Sequence, residues 1–214
     1  MNMPLNILVI DDHPIFCNGM KDMLLDIHPD ASVFQAASGK EALAILHAQQ
    51  DIDWIFLDLM LPDQSGIDIL QTITEITFSP VIVVSSTAET ELIYSALNSG
   101  ANGFIPKSSD RMTYITSMQQ IEEGNQYTPP EISVALQHYS DTILKERQNL
   151  SNNISKRQHE VLVLLSKGYS NSQIAHELDL SESTIKSHIS TLMETLKANN
   201  RTHCVSEAQR LGLL

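Results

Sequence analysis

Asp11, Asp12 and Asp58 each close a short apolar run: NILVI (6–10) ends on the first two, and WIFLD (54–58) ends on the third. Runs this short, rich in Ile, Val and Phe, read as buried parallel strands. The three carboxylates therefore stand at the carboxyl ends of strands one and three. In a doubly wound sheet these strands are neighbours, so the carboxylates converge in one crevice. Clustered carboxylates repel one another unless a cation lies among them, and an all-oxygen set with room for water suits Mg²⁺. Two more groups arrive at other strand ends: the Ser85 hydroxyl in PVIVVSS (80–86) and Lys107 just after GFI (103–105). A hydroxyl and an ammonium beside a carboxylate–Mg²⁺ cluster can hold a phosphoryl group, its charge shared among metal, lysine and hydroxyl.

Five strand-like runs carry these groups, the remaining one being SVFQA (32–36). Helical patterns separate them. Pro14 suits a first helical turn, with Phe16, Met20, Leu24 and Ile27 on one face. Ala42, Leu43 and Leu46 mark a second helix. Met112, Ile115 and Ile121 mark the last, which stops at Gly124. Alternating strand and helix predicts an α/β doubly wound parallel five-stranded sheet, flavodoxin-like, in the order 2-1-3-4-5. Residues 126–153 open on Pro129-Pro130, end in a polar Asn/Ser cluster, and space Ile132, Leu136, Tyr139 and Ile143 helically, so they read as a linker carrying one packed helix. From 154 the pattern is all helical. Ser155-x-x-Gln158 and Ser170-x-x-Gln173 are capping-box patterns, and Ser181 caps a longer helix with Ile185, Ile189, Leu192 and Leu196 on one stripe. A short helix, a tight turn and a longer capped helix form a helix-turn-helix, and a last helix covers about 203–211.

The chain of 214 residues divides accordingly into 1–125, the linker, and a small all-α domain at 154–214. Its charge divides too. Residues 1–125 carry 4 basic against 17 acidic side chains; residues 150–214 carry 7 against 6. A net charge of −13 for the whole molecule thus conceals a nearly neutral C-terminal part with a different partner. No apolar run approaches the roughly 20 residues of a membrane span. The N-terminal MNMPLNILVIDD lacks the basic start of a signal peptide. Cys17 and Cys204, far apart and outside any CxxC or CxxH, form neither a disulfide framework nor a zinc finger. A cytoplasmic protein with free thiols is expected.

VIDDHP, DLMLPDQSG, PVIVVSS and GFIPKS together resemble the receiver domain of two-component response regulators, in the family's order and over about residues 1–125. The resemblance implies that Asp58 accepts a phosphoryl group from a sensor histidine kinase. It implies that Asp11, Asp12 and Asp58, with the backbone carbonyl of Met60, hold Mg²⁺. It also implies that Ser85 is the switch hydroxyl, that Lys107 binds the phosphoryl group, and that Phe104 is the aromatic that changes rotamer with the switch. Pro106 precedes Lys107, where many receivers place proline after the lysine.

The block from Ser155 through Asn199-Asn200-Arg201 is similar to the LuxR-type helix-turn-helix, which makes the whole chain resemble the NarL/FixJ class. The helix at about 182–197 is then the recognition helix, which enters the major groove of promoter DNA. The resemblance names Thr184 and Lys186 as the leading DNA contacts, Ser187 and Ser190 as further ones, and Ser170, Asn171 and Arg201 as groups facing the phosphate backbone. Gln158 stands where the family usually has Glu, and Thr191 and Thr195 occupy positions often basic. The expected protein is a phosphorylation-controlled transcription regulator, homodimeric when phosphorylated, with chemistry confined to its own aspartate. The rival readings are a receiver that is never phosphorylated and acts as a constitutive dimer, a regulator whose helical domain meets protein, and a phosphotransferase.

Overall fold

The computed structural model describes residues 4–49, 51–87 and 89–214, with the side chains of 151 and 152 excepted. The first residues of the N-terminal segment read above for a signal peptide lie outside the described residues. The chain splits into two compact units, Met1–Gln137 and His138–Leu214.

In the first unit β1 (Asn6–Ile10), β2 (Ser32–Ala36), β3 (Trp54–Leu57), β4 (Val81–Ser85) and β5 (Gly103–Pro106) form one parallel sheet. Its order is β2-β1-β3-β4-β5, as the alternating pattern predicts. β1, β3 and β4 are almost wholly apolar because both faces are covered, whereas the edge strand β2 carries exposed Ser32 and Gln35. Along β1, Leu8 and Ile10 enter one core and Ile7 and Val9 the other, the two-residue alternation of a strand. The first core takes Ala42 and Leu46 from α2 (Gly39–Ala48), Ile69, Leu70 and Ile73 from α3 (Gly66–Ile76), and Ile93 and Ala96 from α4 (Thr90–Asn98). The second takes Cys17, Met20 and Leu24 from α1 (Pro14–Ile27) and Tyr114, Met118 and Ile121 from α5 (Arg111–Glu122).

Two helix faces differ from expectation. In α5 the buried stripe is Tyr114, Ser117, Met118 and Ile121, and Met112 is 61% exposed. The stripe includes a serine because Ser117 Oγ donates to the Tyr114 carbonyl at 2.7 Å and so enters the core with its polarity met. In α1 the stripe centres on Cys17, Met20 and Leu24, with Phe16 and Ile27 only half-buried.

The helix expected in the linker runs from Pro130 to Asn153 as α6. The division into compact units falls inside this helix. The cause is the apolar spacing itself. Ile132 and Leu136 pack on the first unit's core, whereas Tyr139, Ile143 and Leu150 pack on that of the second.

The second unit is helical: α7 (Lys156–Ser166), α8 (Asn171–Glu177), α9 (Glu182–Thr195) and α10 (Arg201–Arg210). Both capping boxes are formed, Ser155 with Gln158 and Ser170 with Gln173. Ser181 caps α9 by accepting from Thr184 N at 3.1 Å, and Asn200 caps α10 by accepting from His203 N at 2.9 Å. Asp179 sits at φ 52° in the four-residue turn, 178–181, between α8 and α9. Ile185, Ile189, Leu192 and Leu196 of the α9 stripe are all buried. Among the described residues no helix is long and apolar enough to cross a membrane.

Candidate functional site

The sheet brings the acidic residues together through its backbone. Ile10 pairs with Leu57 across β1 and β3, and Asp58 N donates to the Ile10 carbonyl at 2.8 Å, so Asp11 and Asp58 emerge side by side. Both are only 2% exposed. On the other side Ser85 pairs with Pro106, and Lys107 N donates to the Ser85 carbonyl at 3.0 Å, which places hydroxyl and lysine at adjoining strand ends.

Lys107 reaches into the crevice. Its Nζ lies 2.5 Å from Asp11 Oδ2 and 2.7 Å from Asp58 Oδ2, with the side chain 12% exposed. The ring of Phe16 supports it at 4.9 Å. Burial alone would lower the ammonium's pKa, but the hydrogen bonds to Asp11 and Asp58, with their charges, outweigh burial and hold it above the ordinary lysine range. The second oxygen of Asp58, Oδ1, accepts from Met60 N at 3.2 Å. Ser85 is wholly buried, and among the described residues its Oγ accepts a long 3.4 Å bond from Thr87 N. Phe104 is also wholly buried, part of the core shared by Val83, Ile93 and Ala96.

The pocket fits a divalent cation. Asp11, Asp12, His13 and Asp58 each offer a ligand atom, all within 4.8 Å of one another. Asp12 Oδ1 is buried and makes no hydrogen bond, and Asp11 Oδ2 faces the Lys107 ammonium at 2.5 Å. His13 Nδ1 stands 2.8 Å from Asp12 Oδ1. Carboxylate oxygens left in that state are the donors a hard divalent ion takes.

The sequence motifs assign His13 no role of its own. In fact it is the N-cap of α1, and its Nδ1 lies 2.9 Å from Asp11 Oδ1 and 2.8 Å from Asp12 Oδ1. Its position directly after the acidic pair was the available signal. Cys17 was also missed. It lies one helical turn on from His13, its Sγ donating to the Asp11 carbonyl at 3.2 Å. Burial, and then the Asp11 charge, push its thiol pKa up, so it stays protonated. The third missed residue is Asp63, whose carboxylate accepts from Gly39 N and Lys40 N, both at 3.1 Å. These backbone bonds hold its pKa below the usual carboxylate value. They fasten the loop after Asp58 to the first turn of α2.

In the second unit Lys186, Ser187 and Ser190 lie exposed along α9. Thr184 is half-buried, its hydroxyl 2.8 Å from Ser181 Oγ at the helix start. Ser170 is committed to its capping box. Arg201 is tied inward, donating to Asn171 Oδ1 at 3.2 Å and to the Tyr169 carbonyl. That pair joins the start of α10 to the start of α8. Gln158 uses its side chain in the α7 cap, accepting from Ser155 N at 2.8 Å, while Arg157 pairs with Glu160 at 2.7 Å.

Fold and site together define a receiver joined to a LuxR-type helix-turn-helix. Comparison with known families agrees: the response regulator receiver domain matches residues 7–119, and the luxR family of bacterial regulatory proteins matches residues 152–208. The glycerol metabolism activator of Pseudomonas putida is 32% identical over 94% of both chains. The response regulator protein VraR of Staphylococcus epidermidis is 28% identical over 99% of this chain and 100% of its own. The structure of the response regulator RcsB in complex with DNA shares the fold, with a TM-score of 0.58 at 21% identity over 97% of this chain and 99% of that one. The chain belongs to the two-component response regulators of the NarL/FixJ class, DNA-binding regulators of transcription.

Proposed function

We propose that this regulator is switched by phosphorylation of Asp58 by a sensor histidine kinase. The observation that carries the reading is the half-buried Lys107 ammonium held between Asp11 and Asp58, with the buried Ser85 hydroxyl at the adjoining strand end. Transfer exchanges the N–P bond of a phosphohistidine for an O–P bond at an Asp58 carboxylate oxygen. Asp11, Asp12 and Asp58, with the Met60 carbonyl, would hold Mg²⁺, which would supply charge neutralisation at the phosphoryl oxygens. Lys107 moves from Asp58 to a phosphoryl oxygen, and Ser85 donates to another. Both carry the charge change into the loops after β4 and β5, and Phe104, rooted in the core at β5, follows. The chemistry is confined to the chain's own aspartate.

The output is promoter binding by a homodimer through α9. Lys186, Thr184, Ser187 and Ser190 face base edges or phosphates, and Ser170, Asn171 and Arg201 lie toward the backbone. With 7 basic against 6 acidic residues over 150–214, a single copy binds DNA weakly and with a shallow salt dependence. Dimerisation on two half-sites supplies the rest. Lys186→Ala is expected to reduce the slope of log affinity against log salt by about one. An unchanged slope in a titration of salt would place Lys186 away from the DNA.

Intact mass after incubation with a small phosphodonor, with and without Mg²⁺, tests the switch. The wild type is expected to gain one phosphoryl group only with Mg²⁺, and Asp58→Asn none. A gel-shift comparison of the two forms then reads DNA binding. A wild type unlabelled by both a small donor and a phosphorylated histidine kinase would leave the constitutive dimer as the working state.

A further inference from the structure

We propose that His13 contributes an imidazole nitrogen to the acidic pocket, so that the pocket prefers a first-row transition-metal dication to Mg²⁺. This rests on the reading of Asp11, Asp12 and Asp58 as a cation pocket and adds to it the ligand that sets metal preference. His13 Nδ1 stands 2.9 Å from Asp11 Oδ1 and 2.8 Å from Asp12 Oδ1. Adjacent ligands about 2.1 Å from an octahedral ion lie about 3 Å apart, so this nitrogen is spaced from each oxygen as a neighbouring ligand would be. The backbone holds it there: His13 N donates to Asp11 Oδ1 at 2.8 Å. The ring is 64% exposed, so it can turn to meet an entering ion. Asp12 Oδ1 is buried and makes no hydrogen bond, and Asp11 Oδ2 is held by Lys107, which an entering ion would displace, so oxygen donors remain to complete the set.

Carboxylate oxygens alone suit Mg²⁺ and Mn²⁺ alike. A nitrogen donor favours the transition metal, because imidazole adds bonding that the hard, strongly hydrated Mg²⁺ gains little from. The same 2.8–2.9 Å spacings also fit a hydrogen-bonded imidazole that merely shields two carboxylates, and the experiment separates the two roles.

Mn²⁺ is the probe, on the full chain. Its binding is followed by electron paramagnetic resonance and Mg²⁺ binding by competition, for wild type and His13→Asn. Asparagine is a good N-cap, and the His13 side chain makes no capping bond, so the variant keeps the start of α1. Pulsed resonance on bound Mn²⁺ is expected to show coupling to nitrogen-14 in the wild type and none from an imidazole in His13→Asn. The preference for Mn²⁺ over Mg²⁺ is expected to fall by about tenfold. Wild-type Mn²⁺ without imidazole coupling, or a preference that moves less than about twofold, overturns the proposal. If both ions bind without coupling, the cation pocket stands and only the role of His13 falls; if neither ion binds, both readings fall together.

Discussion

Lys107→Ala is expected to lower the stability of the first unit by about 3–5 kcal/mol in metal-free buffer, the usual cost of leaving buried charges without their partner. Asp11 and Asp58 are each 2% exposed, and the Lys107 ammonium lies within 2.7 Å of both. Without it two carboxylates face each other in a poorly solvated crevice. A divalent cation can take over the same neutralisation, and a ligand that binds only the folded state stabilises it in proportion to its affinity. Mg²⁺ is therefore expected to restore much of the loss and to raise the melting temperature of Lys107→Ala more than that of wild type. The pH dependence has a definite sign. The folded-state pKa of Lys107 is raised above 10.5, so its contribution is fully present below that value and disappears only as pH rises through the folded one. Across the neutral range its contribution stays constant. Urea denaturation of the two proteins with and without Mg²⁺ measures this, and a loss below about 1 kcal/mol would show a solvated site.

A substitution at Gly66 is expected to do comparable damage by a steric route. A Cβ built there would lie 2.3 Å from Leu59 Cα and 2.6 Å from its carbonyl oxygen. The obstacle is backbone, which no rotamer relieves. Gly66 N also donates to the Leu59 carbonyl at 3.1 Å. Overpacking costs about 1–3 kcal/mol and loss of the hydrogen bond about 1 kcal/mol, so Gly66→Val is expected to cost on the order of 3 kcal/mol. Because Leu59 follows Asp58, the same displacement reaches the acceptor carboxylate, and phosphoryl gain should slow as well. Gly19→Ala is the control. Nothing lies within 4 Å of its Cβ position in α1, so the change is expected to stabilise by up to about 1 kcal/mol. Equal denaturation midpoints for Gly66→Val and wild type would mean that the 58–66 loop yields freely.

Much of this was legible in the residues. The five strands were visible because a sheet covered on both faces needs apolar runs. The Asp and Lys positions were visible because they end those runs. Both capping boxes follow from short-range chemistry and formed as read. Longer-range features were not legible. The stripe of α5 includes Ile121 as read, but also Ser117, buried because it bonds its own helix, and it excludes Met112, so apolar letters alone gave only part of the face. Asp63 looks like an ordinary loop acid; only the fold brings it to the α2 amides 23 and 24 residues away. The split of α6 was hidden because its helical spacing is continuous, while its packing partners change between Leu136 and Tyr139.

The bonds of Asp63 give the acceptor loop unequal flanks. Toward α2 it is pinned twice, at Gly39 N and Lys40 N, and at its far end Gly66 rests on Leu59. Toward β4, among the described residues, the Ser85 hydroxyl accepts one long bond, from Thr87 N at 3.4 Å. New charge at Asp58 thus meets an anchored bank on one side and a yielding one on the other. Compliance, more than proximity, sets the direction of the response: amide exchange after β4 and β5 is expected to change on phosphorylation, while the amides at the start of α2 stay as they were.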